Sequence, residues 1–198
     1  MTTDAQASTE LKRVAALRQG IRTVAAYAFK INLLGLNALL LAKRYGANAR
    51  GFGVISSELR DFSKVLHGEM ATLGESGGHL IDLESQRLKM ARQVALISQT
   101  CAALAHCGLE GALAQKRQIG EQVGKRVEQE HEQMRENMAR AYQACLYGSV
   151  LARSAQIEAA YAGAHGNALT LASQEFTHYI DDILDSLESL KKAIGERG

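Results

Sequence analysis

The sequence predicts an all-α chain: an elongated, antiparallel four-helix bundle or coiled coil made of two helical hairpins. Three observations predict it. None of the 198 residues is proline, where average usage of about 5% would give roughly ten. Proline removes a backbone donor and clashes with the preceding turn, so its absence leaves long helices unbroken. Apolar residues recur at alternating spacings of four and three over long stretches, the rhythm of helices packed along a seam. Glycine-containing segments then punctuate that rhythm at intervals that suit chain reversals.

Residues 1–8 are expected to be disordered, and 9–198 to form a single bundle. The first helix is carried by Leu17, Ile21, Val24, Ala28, Ile31, Gly35, Ala38, Ala42 and Tyr45, an unbroken seam. A turn over 45–52 follows, with Gly46 placed to cap the helix in a left-handed conformation and Gly51 to let the chain re-enter a helix. The seam resumes with Phe52, Ile55, Leu59, Phe62, Leu66 and Leu73, with Glu69 as its polar step. The cluster Gly74-Glu-Ser-Gly77-Gly78 should bend or break that helix. A third segment carries Leu80, Leu83, Met90, Val94, Ile97, Cys101 and Leu104, with Arg87 on the seam, and closes the first hairpin near 107. Gly108 to Gly111 marks a reversal.

The second hairpin spans about 112–196, with its tip at 162–168. A shift of 117 residues lays the first hairpin on it: Gly46 on Gly163, Ala47 on Ala164, Ser56 on Ser173 and Glu58 on Glu175. The first seam then maps to Met134, Met138, Ala141, Cys145, Gly148, Ala152, Ala155 and Ala159, none of them polar. The post-turn seam maps to Leu169, Ala172, Phe176, Tyr179 and Ile183. Identity between the copies is low, so register carries the comparison. The middle segments exceed the outer ones in length, so the end away from the tips should thin to two helices.

Composition narrows the function classes. The 23 basic and 21 acidic residues give a net charge of +2; read as mixed along the chain, they leave no electrostatic footprint for nucleic acid or anionic lipid. The longest uncharged apolar run, Ile31 to Ala42, is too short to span a bilayer, and no signal segment opens the chain. Cys101, Cys107 and Cys145 lack zinc spacing and read as small core residues in a reducing cytoplasm.

Residues 27 to 63 are the most informative stretch. Leu33, Leu34, Leu36, Leu39, Leu40 and Leu41 cover more of the first helix than a two-helix seam can bury. Surplus apolar surface at an exposed tip marks a docking site. Phe29, Asn32, Asn37, Arg44, Gly46, Arg50-Gly51-Phe52, Val54, Glu58 and Arg60, in this register, resemble the cytoplasmic hairpin tip of bacterial methyl-accepting chemotaxis receptors. The resemblance is strong over about 37 residues and weaker over about 75 more. In the second copy, Ile157-Glu158-Ala159-Ala160-Tyr161-Ala162-Gly163 resembles the run of small residues that ends at the receptor turn.

The resemblance implies contact rather than catalysis: a cytoplasmic, non-enzymatic signalling protein with no cofactor and no membrane insertion. Its partners would be a chemotaxis coupling protein and histidine kinase, and other chemoreceptors. Leu33, Arg50 and Val54 match positions that face the coupling protein. Phe29, Leu36, Asn37, Arg44, Glu58 and Arg60 match positions that join receptor dimers as trimers and touch the kinase. Receptors dimerise to make four helices; here one chain would supply both hairpins, with turns at Gly46 and Gly51 and at Gly163 and Gly166. A membrane anchor, a sensory domain and a paired Glu/Gln methylation site are not expected.

This chain departs from the receptor pattern at Leu41 and Ala47, where receptor tips carry glutamate. The second tip keeps Glu158 but has Tyr161, Ser154 and Asn167 where receptors have arginine, asparagine and arginine. An adaptor or specialised array component fits these departures better than a standard receptor. Two rivals stand beside this reading. One is a helical scaffold unrelated to chemotaxis. The other is a di-iron bundle using Glu128-Gln-Glu-His131 and Glu175-Phe-Thr-His178, since two Glu-x-x-His motifs on facing helices can hold two metals. Against it, Glu175 and His178 lie mostly outside the seam, and Glu128 to Glu132 read as solvated surface.

Overall fold

The computed structural model describes the backbone of residues 2–103, 108–162 and 166–195, with side chains from residue 15 onward except at 193 and 195. Among these residues the chain is helical and contains no strand. The order is α1 (Thr2–Tyr45), a short 3₁₀ helix (Gly46–Ala49), α2 (Arg50–Ala103), α3 (Glu110–Tyr161) and α4 (Gly166–Gly195). Gly46 and Gly108 have φ of 66° and 61°, so both expected reversals use the left-handed region that glycine enters without steric cost.

The chain divides into two compact units, 1–74 with 135–198, and 75–134. In the first unit, Arg60 Nε donates to Asn32 Oδ1 at 3.3 Å, and Gly53 and Gly74 approach Ala42 and Ile21. Partner numbers rise on α2 as they fall on α1, so these helices pair antiparallel. Phe62 of α2 lies against Gly148 of α3, and Arg140 Nε sits 3.4 Å from Glu69 Oε2. Gln156 Nε2 of α3 donates to Thr177 of α4 at 2.9 Å. Gly20 of α1 meets Leu190 of α4, and the Tyr27 and Tyr179 rings lie 5.9 Å apart.

Burial in this unit follows the sequence seam on α1 and α3 and shifts it on α2 and α4. Leu17, Ile21, Val24, Ala28, Ile31, Ala38 and Ala42 are buried as expected. On α2 the buried line is Phe52, Ser56, Leu59, Ser63, Leu66, Met70 and Leu73, with Phe62 beside it. Ile55 and Glu69 are half-buried. Choosing apolar Ile55 over Ser56 set the sequence seam one position off. Ser56 is buried without penalty because its hydroxyl donates to the Phe52 carbonyl at 2.7 Å, which satisfies the group within its own helix. The same slip recurs on α4, where Ser173 and Ile180 are buried and Tyr179 is half-buried.

The second unit holds the end of α2 and the start of α3. Lys116 donates to Gln93 at 2.8 Å, and His79 lies 3.6 Å from Glu130. Ser76, Leu80, Leu83, Val123, Val127, His131 and Met134 are buried, while Met90, Val94, Ile97 and Cys101 are half-buried. Two helix segments bury one narrow stripe each, so this seam stays partly wet.

Four expectations need correction. Residues 2–8, expected to be disordered, belong to α1; they contain neither glycine nor proline, so nothing local ends the helix. The cluster at 74–78 does not break α2, which continues through it to Ala103. Each helical glycine costs about 1 kcal/mol, but Leu73, Ser76 and Leu80 are buried around it, and packing outweighs propensity. The boundary between the two units nevertheless falls there. Cys101 is disulfide-bonded rather than a reduced core thiol; it is half-buried near the end of α2. His131 is buried, not on a solvated face, because it continues the stripe of Val123, Val127 and Met134. Separately from these corrections, the helical stretch Ala15–Ala103 contains a window that passes for a membrane span by length and composition only. Its apolarity has two sources on α1: the buried seam and a second, outward stripe.

Candidate partner-binding surface

That outward stripe is the candidate site. Phe29, Leu33, Leu36 and Leu40 repeat at spacings of four and three, so they share one side of α1. They lie between 44% and 60% exposed. Val54, on the first turns of α2, is 58% exposed. About half of each side chain is already covered, so burying the rest against a partner would yield roughly 0.7–1.5 kcal/mol each, binding energy that the fold itself does not use. Asn37, Arg44 and Arg50 are exposed beside it, and Glu58 is exposed further along α2.

The turn positions Arg50. Gly46 starts a single 3₁₀ turn, Ala49 is buried beneath it, and Arg50 opens α2 with ordinary helical dihedrals. Gly51 is helical without a positive φ; its smallness instead lets the Glu158 carboxylate of α3 lie against the backbone, where any Cβ would overlap it. Glu158 therefore packs across onto the first turn. Gly166 is buried as the first residue of α4, with the Ala159 carbonyl 3.0 Å from where a Cβ would stand. Gly163 lies outside the described residues.

Two candidate residues serve the fold. Arg60 is half-buried, bonded to Asn32, and lays its aliphatic stem over Gly35. The pair ties α1 to α2 and holds Gly35 as the small residue beneath it. Glu58 keeps its carboxylate accessible, with the Tyr147 hydroxyl 3.5 Å away, long for a hydrogen bond.

Sequence reasoning compared the seams and a few tip residues of the two hairpins, and missed their apolar outer faces. The same 117-residue shift lays Phe29 on Leu146, Leu33 on Val150, Leu40 on Ile157 and Val54 on Leu171, and all eight are exposed. Leu36 falls on Arg153 and Arg44 on Tyr161, itself 81% exposed. Applying the shift to positions off the seam would have found this second stripe.

On the α4 side of α1, Lys30 Nζ sits 4.8 Å above the Tyr27 ring and 5.4 Å above that of Tyr179, a cation–π contact. The Tyr27 hydroxyl pairs with the Asp182 carboxylate, which raises its pKa above the ordinary phenol value. On α3, Cys145 is fully buried, and burial pushes its thiol up to about 12.

The Glu-x-x-His motifs do not assemble an inward ligand set. His131 is buried but Glu128 is exposed; Glu175 is exposed, and His178 faces Asp182 at 3.6 Å on the surface. Among the described residues no three His, Cys, Asp or Glu side chains converge as a metal site would need. Comparison with known protein families, curated proteins and solved structures finds no match. The exposed apolar stripe and its flanking cations are suited to binding another macromolecule.

Proposed function

We propose that this chain is a chemotaxis-receptor-like adaptor, whose first turn and outer α1 face dock a chemotaxis coupling protein or its histidine kinase. In this reading the first unit is a four-helix bundle of two fused hairpins, a covalent imitation of a receptor dimer. The observation that carries it is the coincidence of resemblance and exposure. Leu33, Arg50 and Val54, matched by resemblance to coupling-protein contacts, are all exposed, Arg50 and Val54 next to the Gly46 turn and Leu33 about 20 Å back along α1. The matching outer stripe on α3 and α4 supports the duplication.

The test is capture of a purified chemotaxis coupling protein. Arg50→Glu and Val54→Asp should each abolish capture while helical circular dichroism and melting stay unchanged. Undiminished capture by both variants overturns the assignment. Among the two rivals, the scaffold reading predicts no capture by the wild type, and iron near two per purified chain would revive the di-iron reading.

A further inference from the structure

Charge in this chain is balanced overall and segregated locally. From Leu11 to Ser57 there are eight lysines and arginines and no carboxylate. From Ser154 to Leu190 there are six carboxylates and no lysine or arginine. The cationic segment is mostly α1, and the anionic one is mostly α4, which packs beside it. Complementarity within one chain would explain this if the charges met. They do not: Arg22, Lys30, Glu175 and Asp185 are all exposed, and among the described residues none is in an ion pair. Lys30 rests on two tyrosine rings instead of a carboxylate.

We infer that the α1–α4 side of the first unit is a self-association surface, on which a second copy of this chain docks as a parallel, two-fold dimer. Symmetry selects that arrangement. An axis parallel to the helices places α1 of each copy opposite α4 of the other, cation to anion, twice. An axis across the helices would place α1 on α1 and α4 on α4, like on like, which is repulsive. The parallel arrangement also matches levels. Tyr27 of α1 meets Tyr179 of α4, and the two helices run in opposite directions. Lys30 therefore lies within about two turns of the level of Glu175, and Arg22 close to that of Asp185, at 1.5 Å per residue. Leu171, one turn before Glu175 on the same side of α4, is exposed and supplies apolar contact that charges alone lack.

A charge swap tests it with the full chain. One variant carries Arg22→Glu and Lys30→Glu; the other carries Glu175→Lys and Asp185→Lys. By light scattering at low salt, the wild type should show twice the 21.4 kDa chain mass. It should dissociate toward the monomer near 1 M salt, where screening shortens to about 3 Å. Each variant alone should be monomeric, since each doubles a like-charge contact. An equimolar mixture should restore the dimer, because both contacts become complementary again. A monomeric wild type, or a mixture that stays monomeric, overturns the inference. Circular dichroism separates misfolding from lost association. None of the four residues is assigned to coupling-protein docking, so failure here leaves that reading standing, and the reverse.

Discussion

Gly148 offers a sharp test of how the first unit packs. It is buried on α3 with the Phe62 ring pressed against it, and a Cβ there would lie 2.7, 2.9 and 3.0 Å from three ring carbons. Real Cβ atoms do not approach so closely, and the ring is nearly fully buried, so it has little room to withdraw. Gly148→Ala should gain about 1 kcal/mol in helix propensity and lose about 1–3 kcal/mol to overpacking. Gly68, on exposed α2 surface, has nothing within 4 Å of such a Cβ. Gly68→Ala should therefore show the propensity gain alone. The same chemical change made twice cancels propensity and leaves the clash. Urea unfolding followed by circular dichroism should place Gly148→Ala below Gly68→Ala by about 1–3 kcal/mol. For a chain of this length that is a spread in Tm of roughly 2–12 °C. Adding Phe62→Leu to Gly148→Ala should narrow the gap. Equal stabilisation by both alanines would refute the packing of α2 on α3 described above.

Two further outcomes follow from single residues. Gly46→Ala should destabilise by about 1–2 kcal/mol, because its φ of 66° costs that much for a residue with a Cβ; Gly46→Asn should cost less, and thermal melts of the three proteins would rank them. Cys145, with its thiol raised to about 12, should resist a thiol reagent at pH 8 until the protein is unfolded. Its raised pKa also has a definite sign in stability. The folded state holds the proton more tightly, so this contribution is complete below about pH 9, and declines as pH rises toward 12. A Cys145→Ala variant should lose that alkaline dependence, measured as the denaturation midpoint between pH 8 and 11.

Element type was legible because it rests on local chemistry. The missing proline and the four-and-three rhythm fix helices wherever they occur, and the reversals at Gly46 and Gly108 stand where glycine permits a left-handed step. The exact buried line on α2 and α4 was less legible. Ser56 and Ser173 look polar in sequence, yet each hydroxyl is satisfied by a carbonyl of its own helix, so each can face the core. The glycine cluster at 74–78 reads as a break by propensity, and only the buried residues around it keep α2 continuous. The docking surface was half legible: surplus leucines pointed to an outer face on α1, while Arg60 and Asn32, chosen from the same pattern, are taken up in joining α1 to α2.

By itself the sequence determined that the chain is helical, where it can turn, and which apolar residues exceed the needs of a seam, since each of these depends on neighbours along the chain. Only the tertiary structure decided which residues remain available to a partner. Exposure of Phe29, Leu33, Leu36, Leu40 and Val54 depends on which sides of α1 and α2 the other helices cover. The packing of Glu158 onto Gly51 is likewise fixed by helices that meet in space while far apart in the chain.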